Sequence, residues 1–468
     1  MTDLHLPLDR ASGRLAAQIA AGLRDGVRGG RLPAATRLPS SRDLARDLGV
    51  SRGVVVTAYE QLVAEGFLTA RRGDGTRVAP LARPDAPAAR RPAVWPCEQP
   101  APPEIRYDLR PGQPDLAAFP REGWLAALRA ALRDTSHEDL LAYPDPGGVP
   151  ALRAELAGYL GRVRAAATAP DLVTIVNGVA HAISSVVALA VADGHRVLAV
   201  EDPTSDRQLP MLEATGARLA RVPVDGEGLD VAALARTGAR LVLVTPAHQY
   251  PTGVVLSPAR RAALVAWARD TGGLILEDDY DAEFRYDRDP VGCLQGVAPG
   301  HVALLGSVSK ALAPALRLGW VAAPAPLAAR LREHRARTDL GAPAIEQHAL
   351  ARLLASGGHD RHLRTMRRRY RRRRDALAAG LAPHARVRGV AAGLHLYVEL
   401  PAGCDEDDTV AAAARAGVAV AGGRSAWSPE RAGQAPPALV LGYGRIGEGR
   451  AAAAAALLAG VITHGARG

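Results

Sequence analysis

Lys310, in the stretch GSVSKALAPALRLGW (306–320), is the one lysine of a 468-residue chain; every other one of its 58 lysine-plus-arginine positions is arginine. Arginine carries surface charge as well as lysine does and binds phosphate better. Near neutral pH it cannot lose its proton and attack a carbonyl, whereas a lysine amine can. One lysine in an arginine-saturated chain therefore points to amine chemistry. Ser307 and Ser309 beside it offer hydroxyl donors, and Arg317 offers a cationic fork suited to phosphate. GGLILED reads as a buried strand reaching Asp278, with Asp279 and Tyr280 next in the chain. A carboxylate there can keep a pyridine-type nitrogen protonated, and a phenol two residues on can bond a ring oxygen. IVNGVAHAISS (175–185) reads as strand, glycine turn and helix. After Gly178, the amides of Val179 and Ala180 would then face an anion at the helix start. Together these groups describe a site for a phosphorylated pyridine aldehyde held on a lysine amine.

The elements that must hold these groups are short apolar strands alternating with helical stretches: LVTIV, HRVLAVED, ARLVLVTP, GGLILED and HVALLGS. Each is followed by a polar or glycine turn and a helical pattern. This predicts an α/β fold with a mostly parallel sheet, whose ligands bind beyond the carboxyl ends of the strands. After about residue 325 the pattern changes to long helices, with GLHLYVEL and PALVLGYG as strands of a small carboxy-terminal α+β subdomain. Residues 80–105 are dense in proline and alanine and read as a semi-rigid linker. The expected organisation is therefore 1–79, the linker 80–105, and 106–468.

Residues 38–79, LPSSRDLARDLGVSRGVVVTAYEQLVAEGFLTARRGDGTRVA, have a logic of their own. Ser40 or Ser41 can cap a helix that Gly49 ends, and Ser51 can cap a second helix through about Ala64. On that helix Val55, Ala58, Tyr59 and Leu62 share one face, leaving Ser51, Arg52, Gly53, Val56 and Thr57 outward, where a recognition helix meets DNA. GFLTARRGDGTRVA then reads as a hairpin whose tip carries Arg71, Arg72 and Gly73. A basic wing of this kind suits the DNA backbone or minor groove.

This stretch resembles the winged helix-turn-helix of the GntR regulators. That resemblance implies DNA contacts by Arg42, Ser51, Arg52, Arg72, Gly73 and Thr76. The rest of the chain resembles fold-type I aminotransferases, and specifically the MocR subfamily, in which the two parts are fused. The resemblance is carried by YPDPGGVPALR (143–153), EDP (201–203), TPAHQYPTG (245–253), EDDYDAEFRY (277–286), GSVSKALAPALRLGW and GLH (393–395). It implies pyridoxal 5'-phosphate on Lys310, Asp278 at the ring nitrogen and Tyr280 at the phenolic oxygen. It further implies Ser307, Ser309 and Arg317 at the phosphate, Tyr143 reaching the phosphate of the other subunit, and His248 and Tyr250 lining the ring. Two departures stand out. Ser205 occupies the place of an aromatic that stacks on the ring, with His181 a candidate replacement. Leu439 occupies the place of a late arginine for the substrate carboxylate, with Arg207 and Arg424 as candidate substitutes for effector binding.

The bulk numbers agree with an anionic partner: the net charge is +10 and the pI about 10.0, which favours nucleic acid. The basic run 361–381 is either a second DNA contact or a solvated helical face. Cys97, Cys293 and Cys404 are odd in number and widely spaced, without a CxxC, which suggests a reducing compartment and no metal framework. No apolar run reaches membrane-spanning length, so a cytoplasmic protein is expected; the resemblance implies a homodimer, since such sites lie at a dimer interface. The expected function is a DNA-binding transcription regulator acting on an operator of two half-sites. Its second domain would sense an amine, an amino acid or pyridoxal phosphate itself, without net turnover. The alternative is a working aminotransferase with an appended DNA-binding domain.

Overall fold

The structure, a computed structural model, describes residues 6–71, 75–80, 104–286 and 291–466. The chain divides into two compact units, Met1–Ala101 and Pro102–Gly468.

In the first unit, helices α1 (Leu15–Arg28), α2 (Ser41–Leu48) and α3 (Arg52–Ala64) precede strands β1 (Leu68–Arg71) and β2 (Gly75–Val78). Ser40 is the residue that caps α2: its side chain accepts from the Asp43 amide at 3.2 Å. Gly49 ends the helix in the left-handed conformation, φ 63°, which costs glycine nothing. Ser51 holds the capping position of α3, but its side chain accepts no capping hydrogen bond. Val55, Ala58, Tyr59 and Leu62 are buried along one stripe of α3 and join Ile19 and Leu23 of α1 in the core. The β1–β2 pair is antiparallel, from Leu68 opposite Val78 to Arg71 opposite Gly75. The segment before α2 lies along its outer edge through an Arg37–Arg77 bridge. The expected wing tip, Arg72 and Gly73, lies outside the described residues, as do 81–103 of the expected linker.

The second unit is built on an eight-stranded sheet among the described residues. Its strands are β3 (Val173–Val176), β4 (Val197–Asp202), β5 (Arg218–Asp225), β6 (Gly228–Leu229), β7 (Leu241–Val244), β8 (Leu274–Asp278), β9 (Val302–Ser307) and β10 (Gly319–Ala322). The spatial order is β3-β10-β9-β8-β7-β4-β5-β6. From β9 across to β5 neighbouring strands are parallel. β10 runs antiparallel between β9 and β3, so β3 points the same way as the parallel set. Alternate strand residues face opposite layers. Val176, Leu198, Leu276 and Leu305 pack against helix α4 (Val179–Ala192), while Val242, Ile275 and Val302 pack against helix α5 (Pro258–Thr271). Both faces are covered, as the near-continuous apolar strands require.

The small subdomain has, among the described residues, a four-stranded antiparallel sheet ordered β11 (Arg386–Arg388), β12 (His395–Glu399), β14 (Ala438–Gly442), β13 (Ala421–Gly422). Helices α6 (Gly358–Leu381) and α7 (Ala451–Gly465) pack together on it. The basic run lies on α6, and several of its arginines are tied into the fold. Arg373 is buried and pairs with Asp115 at 2.6 Å, Arg367 donates to the Glu283 carbonyl, and Arg372 pairs with Glu448 at 2.9 Å. Among the described residues no helix is long and apolar enough to cross a membrane.

Candidate functional site

The parallel arrangement brings the carboxyl ends of β3, β4, β7, β8 and β9 to one edge of the sheet, where a cavity of about 430 Å³ opens. Lys310, three residues past β9, lines it, together with Asp278, Tyr280, Ser307, Ser309, Arg317, Val179, Ala180, Tyr250 and Arg207. Lys310 is half-buried, and its Nζ donates to the Gly112 carbonyl at 2.5 Å. Burial pulls its amine below the usual lysine range, opposed by the charges of Asp281 and Asp278. The amine thus loses its proton more readily than a surface lysine would.

Asp278 ends β8 and is 6% exposed. Burial pushes its carboxyl up to about 7, against a hydrogen bond from Gln208. Its Oδ1 is buried without any partner. A buried carboxyl oxygen left unsatisfied is costly, and a ligand donor in the cavity would satisfy it. The Tyr280 hydroxyl donates to the His248 carbonyl at 2.9 Å. Burial first, then the charges of Asp281 and Asp278, hold its proton far above the ordinary phenol range, so it is a neutral donor.

An anion cradle stands elsewhere on the cavity lining. Gly178 caps α4 with φ 85°. That φ favours glycine, and a Cβ added there would lie 2.9 Å from Arg317 Nη2 and displace the guanidinium. Arg317 Nη2 donates to the Asn177 carbonyl at 2.5 Å, which lays its fork over the start of α4. With the amides of Val179 and Ala180 and the hydroxyls of Ser307 and Ser309, this end suits a phosphate. These observations fit pyridoxal phosphate: a primary amine, a buried carboxyl with one oxygen unpartnered, a neutral phenol and an anion cradle meet in one cavity.

Other expected residues stand elsewhere. His248 does not line the cavity; it lies buried behind Tyr280, with Nδ1 3.0 Å from Asp281 Oδ2. Tyr143 is 86% exposed and outside this chain's own cavity. Arg424 also misses the lining and lies 3.8 Å from Asp407, so Arg207 alone of the two candidate effector arginines faces the cavity. His181 turns to Asp339, 3.6 Å away, and does not replace a stacking ring. Ser205 does line the cavity. Leu439 is fully buried in the core of the small subdomain, and its neighbour on β14, Val440, faces the cavity instead. The period of two along a strand explains the correction: moving one residue changes the face. Sequence reasoning missed Gln208, Asp281 and His395; the last two sit in the quoted motifs EDDYDAEFRY and GLH.

In the first unit, Arg42, Ser51 and Arg52 are exposed, and Thr76 is half-buried on β2. The Arg52 Nε donates to Ser41 Oγ at 3.4 Å, which draws the two helix starts together.

Residues 112–431 match the family model "Aminotransferase class I and II", and residues 15–78 match "Bacterial regulatory proteins, gntR family". The chain is 36% identical over 386 residues to the HTH-type pyridoxine biosynthesis transcriptional regulator PdxR of Corynebacterium glutamicum, covering 81% of this chain and 82% of that protein. It is 34% identical over 394 residues to the probable rhizopine catabolism regulatory protein MocR of Rhizobium meliloti, covering 81% and 78%. Among solved structures, an archaeal alanine:glyoxylate aminotransferase is similar, with a TM-score of 0.69 at 25% identity over 77% of this chain and 91% of that one. The kynurenine aminotransferase of Pyrococcus horikoshii, at 24% identity, shares the fold with a TM-score of 0.68. With a DNA-binding domain of the gntR type fused to an aminotransferase-type domain, this chain belongs to the MocR-type GntR regulators.

Proposed function

We propose that this protein is a cytoplasmic DNA-binding transcription regulator that carries pyridoxal phosphate on Lys310 and responds to an amine, an amino acid or pyridoxal phosphate itself. The observation that carries the reading is the single lysine in a cavity with an anion cradle and a buried carboxyl whose Oδ1 has no partner. When bound, the cofactor supplies an aldehyde that condenses with primary amines. Lys310 offers the amine, already inclined to shed its proton. Asp278 holds a proton at the ring nitrogen; Tyr280 donates to a ring oxygen; Arg317, Ser307, Ser309 and the amides of Val179 and Ala180 bind the phosphate. Arg207 is the candidate cation for an effector.

A homodimer fits the exposed apolar residues Leu141, Tyr143 and Leu340, which are 65%, 86% and 52% exposed; Tyr143 would serve the partner's phosphate. Two DNA-binding units per dimer imply an operator of two half-sites, contacted by Arg42, Ser51, Arg52, Arg72, Gly73 and Thr76. The boundaries 1–79, 80–105 and 106–468 belong to the same reading. Borohydride reduction of purified protein is expected to fix the cofactor mass on the peptide containing Lys310, and Lys310→Ala to lose the visible absorbance of the lysine-linked cofactor while keeping the fold. Persistence of the absorbance in that variant would refute the site.

A further inference from the structure

Behind the Tyr280 hydroxyl lie Asp281 and His248, and beside them His395, which also lines the cavity; the three are exposed by 2%, 3% and 5%, and the roles assigned above to the cavity residues include none of them. They come from the three motifs EDDYDAEFRY, TPAHQYPTG and GLH. His248 Nδ1 lies 3.0 Å from Asp281 Oδ2 and 3.2 Å from the Tyr280 hydroxyl. A carboxylate only accepts, which puts the proton of this pair on Nδ1, facing both the carboxylate and the phenol oxygen. Tyr280 in turn donates to the His248 backbone carbonyl at 2.9 Å. One residue, His248, therefore receives the phenol's proton on its backbone and offers a proton to the phenol's lone pair from its ring.

The pair is walled in. His395 lies with its ring 4.7 Å from that of His248 and 5.1 Å from that of Tyr250. Its Nε2 donates to the Pro251 carbonyl at 3.0 Å, and burial pulls its pKa down to about 3, so it is a neutral spacer. Gly393, at φ 72°, packs so closely that any Cβ there would overlap His248 and Asp281. Such packing confines the His248 ring against Asp281.

We propose that Asp281, acting through His248, is a positioning pair for Tyr280. It keeps a donor on the phenol oxygen, so that the phenol's own proton can leave the His248 carbonyl for a ligand oxygen without stranding the hydroxyl. A phenol that accepts a hydrogen bond while donating one is the stronger donor. The charge of Asp281 also reaches Lys310, on the same side as Asp278 and opposite in sign to Arg207. This rests on the cavity being the pyridoxal phosphate site, and the experiment separates the two claims.

Full-length wild type, His248→Phe, Asp281→Asn, Tyr280→Phe and the two double variants with Tyr280→Phe are loaded with pyridoxal phosphate, reduced with borohydride and mapped by mass. On separate, unreduced samples the dissociation constant and the pH midpoint of the absorbance are measured. Each single change is expected to weaken binding about three- to tenfold, the worth of one hydrogen bond. Added to Tyr280→Phe, either partner change should cost less than a further twofold. The isosteric Asp281→Asn should also shift the absorbance midpoint downward, because it removes a negative charge that favours a proton on the Lys310 nitrogen. Losses that multiply, with the midpoint unmoved, mean a merely structural role and overturn the proposal. Wild type that takes up no mass at Lys310 overturns the cofactor reading and this proposal with it.

Discussion

Asp278 shows how one buried group becomes a measurable quantity. Its carboxyl is pushed up to about 7 by burial, from an ordinary value of 3.8. The folded, ligand-free protein therefore holds a proton that the unfolded chain releases between about pH 4 and pH 7. Where the folded state binds more protons, stability falls as pH rises. Asn cannot ionise, so the melting temperature of ligand-free Asp278→Asn relative to wild type should climb from pH 4 to pH 7 and then level off. Glu201, Glu277 and Glu283 are also pushed up to about 7 by burial, so the difference between the two proteins is the quantity to read. A difference that is flat with pH would show that Asp278 keeps its charge. The chemistry of Lys310, Asp278, Tyr280 and Arg317 was legible in the sequence because each sits beside a strand end. The Gln208 hydrogen bond was not, since no local pattern says that a residue after β4 will bend over the end of β8.

At the scale of elements, the apolar runs foretold β3, β4, β7, β8, β9, β12 and β14, whereas β5 and β10 went unread. β5 carries Arg218, Arg221 and Pro223, which break any apolar run; it is held by parallel pairing to β4 along its length. β10 is four residues, Gly319–Ala322, hidden at the end of the lysine motif. Only its antiparallel pairing to β9 and β3 makes it a strand. Helix caps divided in the same way. Ser40 and Ser51 look alike as capping residues, yet only Ser40 makes the bond. Ser40→Ala should therefore cost the first unit about 1 kcal/mol, while Ser51→Ala should stay within about 0.5 kcal/mol. Calorimetry of the full chain checks this, and equal losses would contradict the assignment. Ser51 should reveal itself in DNA affinity.

For the whole molecule, the two functions make different demands. Salt titration of operator binding should give a slope near −0.9 for each phosphate neutralised. Arg42→Ala, if it removes one phosphate contact, should weaken all sequences alike and flatten that slope by about one unit. Arg52→Ala should cost roughly 1–3 kcal/mol and relax preference at one base pair per half-site, if its side chain reaches a guanine. Binding that shows neither salt sensitivity nor sequence preference would sink the regulator reading. On the other side, Ser205 and Val440 stand on the cavity lining without a stacking ring or a carboxylate-binding arginine. Transamination of common amino acids is accordingly expected to stay below about 1 per second, and a faster turnover would favour the enzyme alternative. The half-buried lysine has one more consequence. A lysine-specific endoproteinase has a single place to cut this 468-residue chain, after Lys310, and must draw that segment out of the cavity to do so. Digestion of the native protein into fragments 1–310 and 311–468 is thus a clock for how often the cavity opens, and anything that seals it should slow the clock.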